Sequence, residues 1–166
     1  MNTSKEIVID NDFKDAYTFY KRGRAKSKLK NFTGAIEDFS IAIEISPNQF
    51  LFCFRGDAKM KIHDYEGALN DFNKALEIDT NHANAYFSIG FVKTKSKDFE
   101  CAIKNFSKAI DIKPTVSKYN ICGMTRMKIK DYAGAVEDFS KALEFNPKSS
   151  EARRNLINAK FLLKRT

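Results

Sequence analysis

Apolar residues along this chain recur at helical spacing in short blocks that polar turns separate. In the first block they occupy one face of an amphipathic helix, at Ala35, Ile36, Phe39, Ala42 and Ile43. The same arrangement returns in blocks at 31–47, 64–80, 98–114 and 131–147. Each block follows another segment that contains a single glycine. The pattern predicts pairs of helices repeated along the chain.

The ends of these blocks carry signals of helix boundaries. The blocks begin at residues with short acceptor side chains, which cap exposed N–H groups: Asn31, Asp64, Asp98 and Asp131. Three blocks are closed by the only prolines of the chain, Pro47, Pro114 and Pro147. Thr80 takes that place in the second block. Because the residue before a proline resists helical conformation, these positions mark helix ends.

Small residues form two columns at a fixed register. The first column is Gly23, Gly56, Gly90 and Gly123, with spacings of 33, 34 and 33 residues. Glycine within a helix costs about 0.5–1 kcal/mol relative to alanine, so its recurrence indicates that a side chain there would clash with the partner helix. The second column is Gly34, Gly67, Cys101 and Gly134. We therefore expect Cys101 to be a small buried spacer rather than a reactive thiol.

These residues resemble the tetratricopeptide repeat pattern of aromatic, glycine, small residue, aromatic, alanine and proline. The first copy matches at Phe19, Gly23, Ala35, Phe39, Ala42 and Pro47, and the last at Tyr119, Gly123, Ala135, Phe139, Ala142 and Pro147. The resemblance covers residues 16–149. It implies an all-α fold, a right-handed α-solenoid of four helix–turn–helix repeats with a C-terminal capping helix. The expected repeats are 16–48, 49–82, 83–115 and 116–149.

Two segments lie outside the four repeats. Residues 150–166 resemble a further first helix and are expected to cap the stack. Its inward residues would be Ala152, Leu156, Ala159 and Leu163, and its outward residues Arg153, Arg154 and Lys160. Residues 1–15 are expected to be a partly disordered leader. Its KEIVIDN stretch is either a frayed segment or an extended strand.

Two departures from the family pattern involve charge. Arg22 and Arg55 stand where an aliphatic residue is usual, and an acid accompanies each one helix later, at Asp38 and Asp71. This predicts an ion pair within the repeat. The third copy changes both positions, to Ile89 and Asn105, whereas the fourth has Cys122 but Asp138 and breaks the rule. Basic residues also replace the usual tyrosine after each glycine, at Lys26, Lys59, Lys93 and Arg126.

Composition narrows the function classes. The net charge is +8, and the glycine-bearing segments are basic whereas the segments between them are acidic. The three cysteines lack C-x-x-C spacing, which favours reduced thiols and a cytoplasmic location without a cofactor or metal. The chain shows no apolar run that would make a signal peptide or a membrane span. His63 and His82 have no ligand spacing, and no catalytic motif is present, so we do not expect an enzyme.

Aromatic residues that the repeat scaffold does not require are the best candidates for a binding site. Six lie at first-helix positions that resemble the concave, ligand-facing positions of the family: Tyr17, Tyr20, Phe50, Phe54, Phe87 and Phe91. Ile121 and Met124, with Met60 and Met127, continue this face. Large apolar side chains gathered on one surface favour a binding groove. Alternatively, several of them, Phe91 foremost, pack between neighbouring repeats.

A ladder of lysines runs beside that face, at Lys28, Lys61, Lys95 and Lys128, with Lys21 and Arg24 at the N-terminal end. It is either a solvated edge or a surface for acidic segments. The family's carboxylate clamp for chaperone C-terminal tails needs lysine, asparagine and arginine at set positions. The matching residues here are Tyr20, Arg24, Phe54, Asn84 and Ser88, so the clamp is absent.

The sequence thus favours a non-catalytic scaffold or adaptor that holds a peptide or helix of a partner protein in the groove. Its partner would be apolar with acidic flanks, and neither a chaperone tail nor a membrane. Two alternatives stay open. One is binding of RNA or another nucleic acid through the basic first-helix layer. The other is self-assembly, in which KEIVIDN or the terminal helix enters the groove of a neighbour.

Overall fold

The computed structural model describes residues 15–165, and within that range it contains nine α-helices and no strand. The helices are α1 (Ala16–Lys28), α2 (Phe32–Ile45), α3 (Gln49–Lys61), α4 (Tyr65–Ile78), α5 (Ala83–Lys95), α6 (Phe99–Ile112), α7 (Val116–Lys128), α8 (Tyr132–Phe145) and α9 (Ser150–Leu163). The predicted all-α solenoid is confirmed. Except for Asp15, which caps α1, the predicted leader lies outside the described residues. None of the described helices has the length and apolar character that crossing a bilayer requires.

Each helix packs mainly against the helices that precede and follow it in the chain. The first helices of neighbouring repeats also touch, as α1 does α3 and α3 does α5. We call the surface on which the first helices of the four repeats lie, α1, α3, α5 and α7, the first-helix face. The junction between each of these helices and the second helix that follows it is called the seam.

The predicted caps of the second helices are confirmed. The side chains of Asn31, Asp64, Asp98 and Asp131 accept hydrogen bonds from the N–H three residues later. The residue before each cap has a positive φ of 61° to 65°: Lys30, His63, Lys97 and Lys130. This left-handed turn, which costs a non-glycine residue about 1–3 kcal/mol, reverses the chain between the two helices of a repeat.

A column of four phenylalanines fills the seam. Phe39, Phe72, Phe106 and Phe139 are 0–1% exposed. Each lies under a glycine of the first column: a Cβ at Gly56 would lie 2.7 Å from Cε1 of Phe72, and one at Gly23 would lie 2.8 Å from Cε1 of Phe39. The predicted clash at this column is therefore confirmed.

The second small-residue column serves the caps rather than the packing between helices. A Cβ at Gly34 would lie 2.9 Å from Nδ2 of Asn31, the capping side chain of its own helix. Cys101 is half-buried, so its prediction as a buried spacer is wrong. Its backbone N–H donates to Oδ1 of Asp98 at 3.3 Å, which is the same cap contact that the glycines make.

The predicted ion pairs are confirmed, and a second cation joins each of them. Asp71 is 0% exposed, and its carboxylate accepts from Arg55 Nη2 at 2.6 Å and from Lys59 Nζ at 2.9 Å. Arg22 and Lys26 bind Asp38 at the same two distances. Burial acts to raise the pKa of Asp38, but the hydrogen bonds from Arg22 and Lys26 outweigh it and hold that pKa below its usual value. The lysine after each of these two glycines is thus a structural partner of the buried acid.

The fourth repeat makes an equivalent contact with a different residue. Arg126 Nε donates to Oδ2 of Asp138 at 3.0 Å, and Arg126 Nη1 donates to the cap residue Asp131 at 2.7 Å. Arg126, which follows Gly123, thus makes the contact that an arginine directly before the glycine makes in the first two repeats. This is why Cys122 and Asp138 occur together without breaking the seam.

The C-terminal helix α9 caps the stack only in part. Ala152 and Ala159 are fully buried, and Leu156 is half-buried against the last core cluster, as predicted. Arg153, Arg154 and Lys160 are exposed, also as predicted. Leu163 was expected to face inward, but it is 41% exposed because it lies one turn beyond the Ala159 contact, at the last residue of the helix. The apolar residues Ile157 and Phe161 are exposed as well.

Candidate functional site

Aromatic rings at the N-terminal end of the first-helix face form a continuous chain from solvent to core. The ring centroids of Tyr17 and Tyr20 are 5.9 Å apart, and those of Tyr20 and Phe54 are 5.3 Å apart. Phe54 in turn stacks on the buried Phe39 with a centroid separation of 5.8 Å. Two neighbouring first helices, α1 and α3, therefore share one aromatic surface.

This surface lines an open cavity of about 540 Å³, which we call the N-terminal hollow. Its large apolar side chains come from α1, from the end of α2 and from α3, and they are Tyr17, Tyr20, Ile45, Phe50, Leu51 and Phe54. Tyr17 is 58% exposed and Phe50 is 55% exposed. Asn48 orients this part of α3 because its side chain accepts from the N–H groups of Phe50 and Leu51. Four of the predicted groove residues thus meet in one place: Tyr17, Tyr20, Phe50 and Phe54.

Two cations lie against the rings of this hollow. Arg24 Nη1 donates to the Tyr20 hydroxyl at 2.8 Å, and its guanidinium carbon lies 4.8 Å from the Phe54 ring centroid. Lys21 Nζ lies 4.6 Å from the ring centroid of Tyr17. Cations at such distances are attracted to the ring faces. The hollow therefore combines an apolar surface with positive charge at its edge.

A second hollow of about 270 Å³ adjoins the first, and it contains an acid that the sequence analysis overlooked. Arg24, Lys28 and Lys61 line it together with Asp57. Asp57 is exposed to solvent, yet the surrounding protein removes enough water to raise its pKa to about 6, against the Ser88 hydrogen bond and the Lys61 charge. The spacing of Phe54, Asp57 and Lys61 at i, i+3 and i+7 would have placed them on one helical face.

The predicted groove residues of α5 lie in a different environment. Phe87 and Phe91 are half-buried and contact the core ring of Phe106, with centroid distances of 5.3 Å and 5.6 Å. Neither ring lines the N-terminal hollow. Lys118, which the sequence analysis did not single out, is buried beside Phe87 and donates to the Lys113 carbonyl at 2.6 Å. These aromatics therefore contribute to packing as well as to the surface.

The C-terminal end of the first-helix face carries methionines in place of aromatics. Met124 is 46% exposed, whereas Ile121 is half-buried. Met124, Met127 and Lys128 line a shallow hollow of about 300 Å³ with residues of α8 and α9. The predicted groove thus has an aromatic end and a methionine end rather than one uniform floor.

The lysine ladder differs from the basic residues of the seam. Lys28, Lys61, Lys95 and Lys128 are all exposed. Among residues 15–165, none of the four has an ion-pair partner. By contrast, Lys26 and Lys59, which stand two residues before Lys28 and Lys61, bind buried acids. The four ladder lysines therefore add to the positive charge of this face, to which Lys21 and Arg24 also contribute.

Comparison with known families decides the assignment of the fold. A profile described as "Tetratricopeptide repeat" matches residues 16–49, 83–116 and 119–149, and one described as "TPR repeat" matches residues 56–96. The chain belongs to the tetratricopeptide repeat family. Members of this family are generally non-catalytic scaffolds that bind protein or peptide partners.

Solved structures of other tetratricopeptide repeat proteins have the same fold. A crystal structure of MamA superposes with a TM-score of 0.79 at 20% identity, covering 90% of this chain and 82% of that one. MamA residues 41–end from Desulfovibrio magneticus RS-1 give 0.74 at 23% identity, covering 84% and 80%. YrrB, described as having an unusual peptide-binding site, gives 0.71 at 21% identity, covering 84% and 73%. No curated protein matches this chain in sequence.

This tetratricopeptide repeat chain has different side chains at the positions of the carboxylate clamp. Tyr20 and Phe54 stack in the N-terminal hollow, and Arg24 lies over both rings. Ser88 Oγ donates to Asp57 at 3.3 Å, and Asn84 is exposed. The five side chains at these positions are two aromatic rings, one arginine, one asparagine and one serine, so the lysines that the clamp requires are missing.

Proposed function

We propose that this protein is a non-catalytic scaffold whose first-helix face binds an extended or helical segment of a partner protein. The N-terminal hollow receives the apolar anchor residues of that segment. Acidic residues beside the anchors lie near Arg24, Lys28 and Lys61. The free thiols of Cys53, Cys101 and Cys122 support a reducing, cytoplasmic location for this complex.

The observation that carries the proposal is the exposure of aromatic side chains that the fold does not bury. The side chains of Tyr17 and Phe50 are more than half exposed, although each offers a large apolar area to a partner. They border the cavity of about 540 Å³. Binding energy in protein interfaces concentrates in a few aromatic and arginine contacts. Lys21 at the Tyr17 ring, together with Lys28 and Lys61 in the adjoining hollow, attracts acidic segments and orients them.

A peptide selection tests this proposal. The immobilised full chain is panned against a library of random peptides. We expect the recovered peptides to share aromatic or large aliphatic residues flanked by aspartate and glutamate. Tyr17→Ala/Phe50→Ala should weaken their binding by about 2 kcal/mol or more, because it removes two anchor contacts.

A matched variant controls for the general loss of surface apolar area. Leu29→Ala/Ile129→Ala removes two exposed apolar side chains that follow the C-terminal ends of α1 and α7 and do not line the hollow. It should leave peptide affinity unchanged. Recovery of peptides that bind the Tyr17→Ala/Phe50→Ala variant as tightly as the wild type would contradict the proposal.

The unpaired lysine ladder favours one second candidate, a surface for single-stranded RNA. Phosphate contacts release counterions, so the logarithm of the binding constant falls steeply with the logarithm of salt concentration. A fluorescent uridine oligonucleotide titrated at several salt concentrations provides the test. Tight binding with a steep salt slope that Lys28→Ala/Lys61→Ala reduces would favour this candidate over the peptide scaffold.

A further inference from the structure

The N-terminal hollow opens beside the point where residues 1–14 join the described part of the chain. Asp15, the cap of α1, is itself one of the residues that line the cavity. An extended chain spans about 3.3–3.6 Å per residue, so a segment of six residues attached to Asp15 can span up to about 20 Å. Any residue of the preceding segment from 5 to 13 is therefore within reach of the cavity.

The sequence of that segment complements the hollow. Residues 5–13 read KEIVIDNDF and place Ile7, Val8 and Ile9 between Glu6 and Asp10. Aliphatic side chains match a lining that includes the rings of Tyr17, Tyr20, Phe50 and Phe54. The flanking acids match Lys21 and Arg24, which lie against those rings without an acidic partner among residues 15–165. This is the same chemistry that the proposed function requires of a partner segment.

We infer that residues 5–13 of the chain occupy the N-terminal hollow of the same molecule and that partner segments must displace them. The inference rests on the proposed function of the hollow and adds its regulation. A segment joined by a few residues is present at an effective concentration in the millimolar range, so even a weak intramolecular contact competes with partners.

A single tryptophan reports on the position of the segment, because the chain contains none. Ile9→Trp in the full chain should give blue-shifted emission and reduced quenching by acrylamide. The same substitution combined with Tyr17→Ala/Phe50→Ala should lose that protection. Emission and quenching equal to those of a synthetic peptide of residues 2–14 carrying the same substitution would overturn the inference.

Sedimentation velocity of this Ile9→Trp chain separates an intramolecular contact from an intermolecular one. We expect the mass of a single chain and protection of the tryptophan that does not change with dilution. Protection that disappears on dilution, together with a mass that rises with concentration, would overturn the inference in favour of docking between two copies.

Competition is measured with a fluorescent peptide recovered in the selection described above. The full-chain variant Ile7→Asp/Ile9→Asp should bind it about tenfold or more tightly than the wild type, because the hollow is released. Asn2→Asp/Ser4→Asp adds the same two negative charges without removing apolar side chains, and it should bind like the wild type. Equal affinities of the wild type and the Ile7→Asp/Ile9→Asp variant would overturn the inference, while binding that still depends on Tyr17 and Phe50 would leave the proposed function standing.

Discussion

The seam and the first-helix face contain the same kinds of residue in opposite circumstances. In the seam, Phe72 is fully buried, and Lys59 binds the buried Asp71. On the first-helix face, Phe50 is more than half exposed, and Lys61, two residues after Lys59, has no ion-pair partner among residues 15–165. Aromatic and basic side chains are thus buried or paired on one side of α3 and exposed on the other.

The largest difference between the two regions should appear in the free energy of unfolding when an aromatic side chain is removed from each. Phe72→Ala leaves a cavity in the seam and should lower the free energy of unfolding by about 3–5 kcal/mol. Phe50→Ala should lower it by less than about 1.5 kcal/mol, because only part of that side chain is buried. Urea unfolding of both variants measures this difference. A similar loss in the two would show that Phe50 belongs to the core.

The acids of the seam provide the next comparison. Asp71→Ala leaves Arg55 and Lys59 without their partner, and we expect a loss of about 3 kcal/mol in the free energy of unfolding. Glu77→Ala removes the exposed partner of Lys74 and should cost less than about 1 kcal/mol. Thermal unfolding of both variants checks this ranking. An Asp71→Ala protein as stable as Glu77→Ala would show that the buried pair contributes little.

Substitution of a glycine in the first small-residue column should lower the free energy of unfolding by a smaller amount. Gly56→Ala brings a Cβ to 2.7 Å from the Phe72 ring and should cost about 1–3 kcal/mol through strain. Gly56→Ala/Phe72→Leu replaces the ring with a smaller side chain, so its loss should be less than the sum of the losses of the two single variants. If the loss of the double variant equals the sum of the two single losses, the contact between the new Cβ and the Phe72 ring is not the cause of the destabilisation.

The raised pKa of Asp57 should make the first-helix face sensitive to pH. Its pKa is raised, so its contribution to stability is present below about pH 4 and is lost as the pH rises towards about 6. Above pH 6 its charge also repels the acidic segments that we propose as partners, so their affinity should increase as the pH falls through 6. Fluorescence titration of an acidic peptide at several pH values measures this. Asp57→Asn should flatten the profile, and a profile that persists in this variant would assign the effect to another group.

Much of the seam could be predicted from the sequence because it repeats. The caps, the glycine clashes and the Arg22–Asp38 and Arg55–Asp71 pairs recur in register, and each copy tests the others. The ion pair of the fourth repeat could not be predicted from the other copies, because Arg126 reaches Asp138 from a different position. Leu163 was misplaced because helical spacing alone does not show where the neighbouring helix ends.

The first-helix face could be predicted less completely, since its residues differ from copy to copy. Spacing placed Tyr17, Tyr20, Phe50 and Phe54 on first helices, and the structure adds that they share one cavity. Spacing did not separate these residues from Phe87 and Phe91, which contact Phe106. Asp57 was overlooked although its spacing from Phe54 and Lys61 places it on the same helical face, because a single acid among lysines has no counterpart in the other repeats.

The central claim is that the first-helix face is the binding surface of this protein. Hydrogen–deuterium exchange of the full chain, with and without a bound peptide from the selection, tests it most directly. We predict slower exchange confined to α1 and α3, around the N-terminal hollow, with no change in the second helices α4, α6 and α8. Protection centred on those second helices or on α9 would contradict the account.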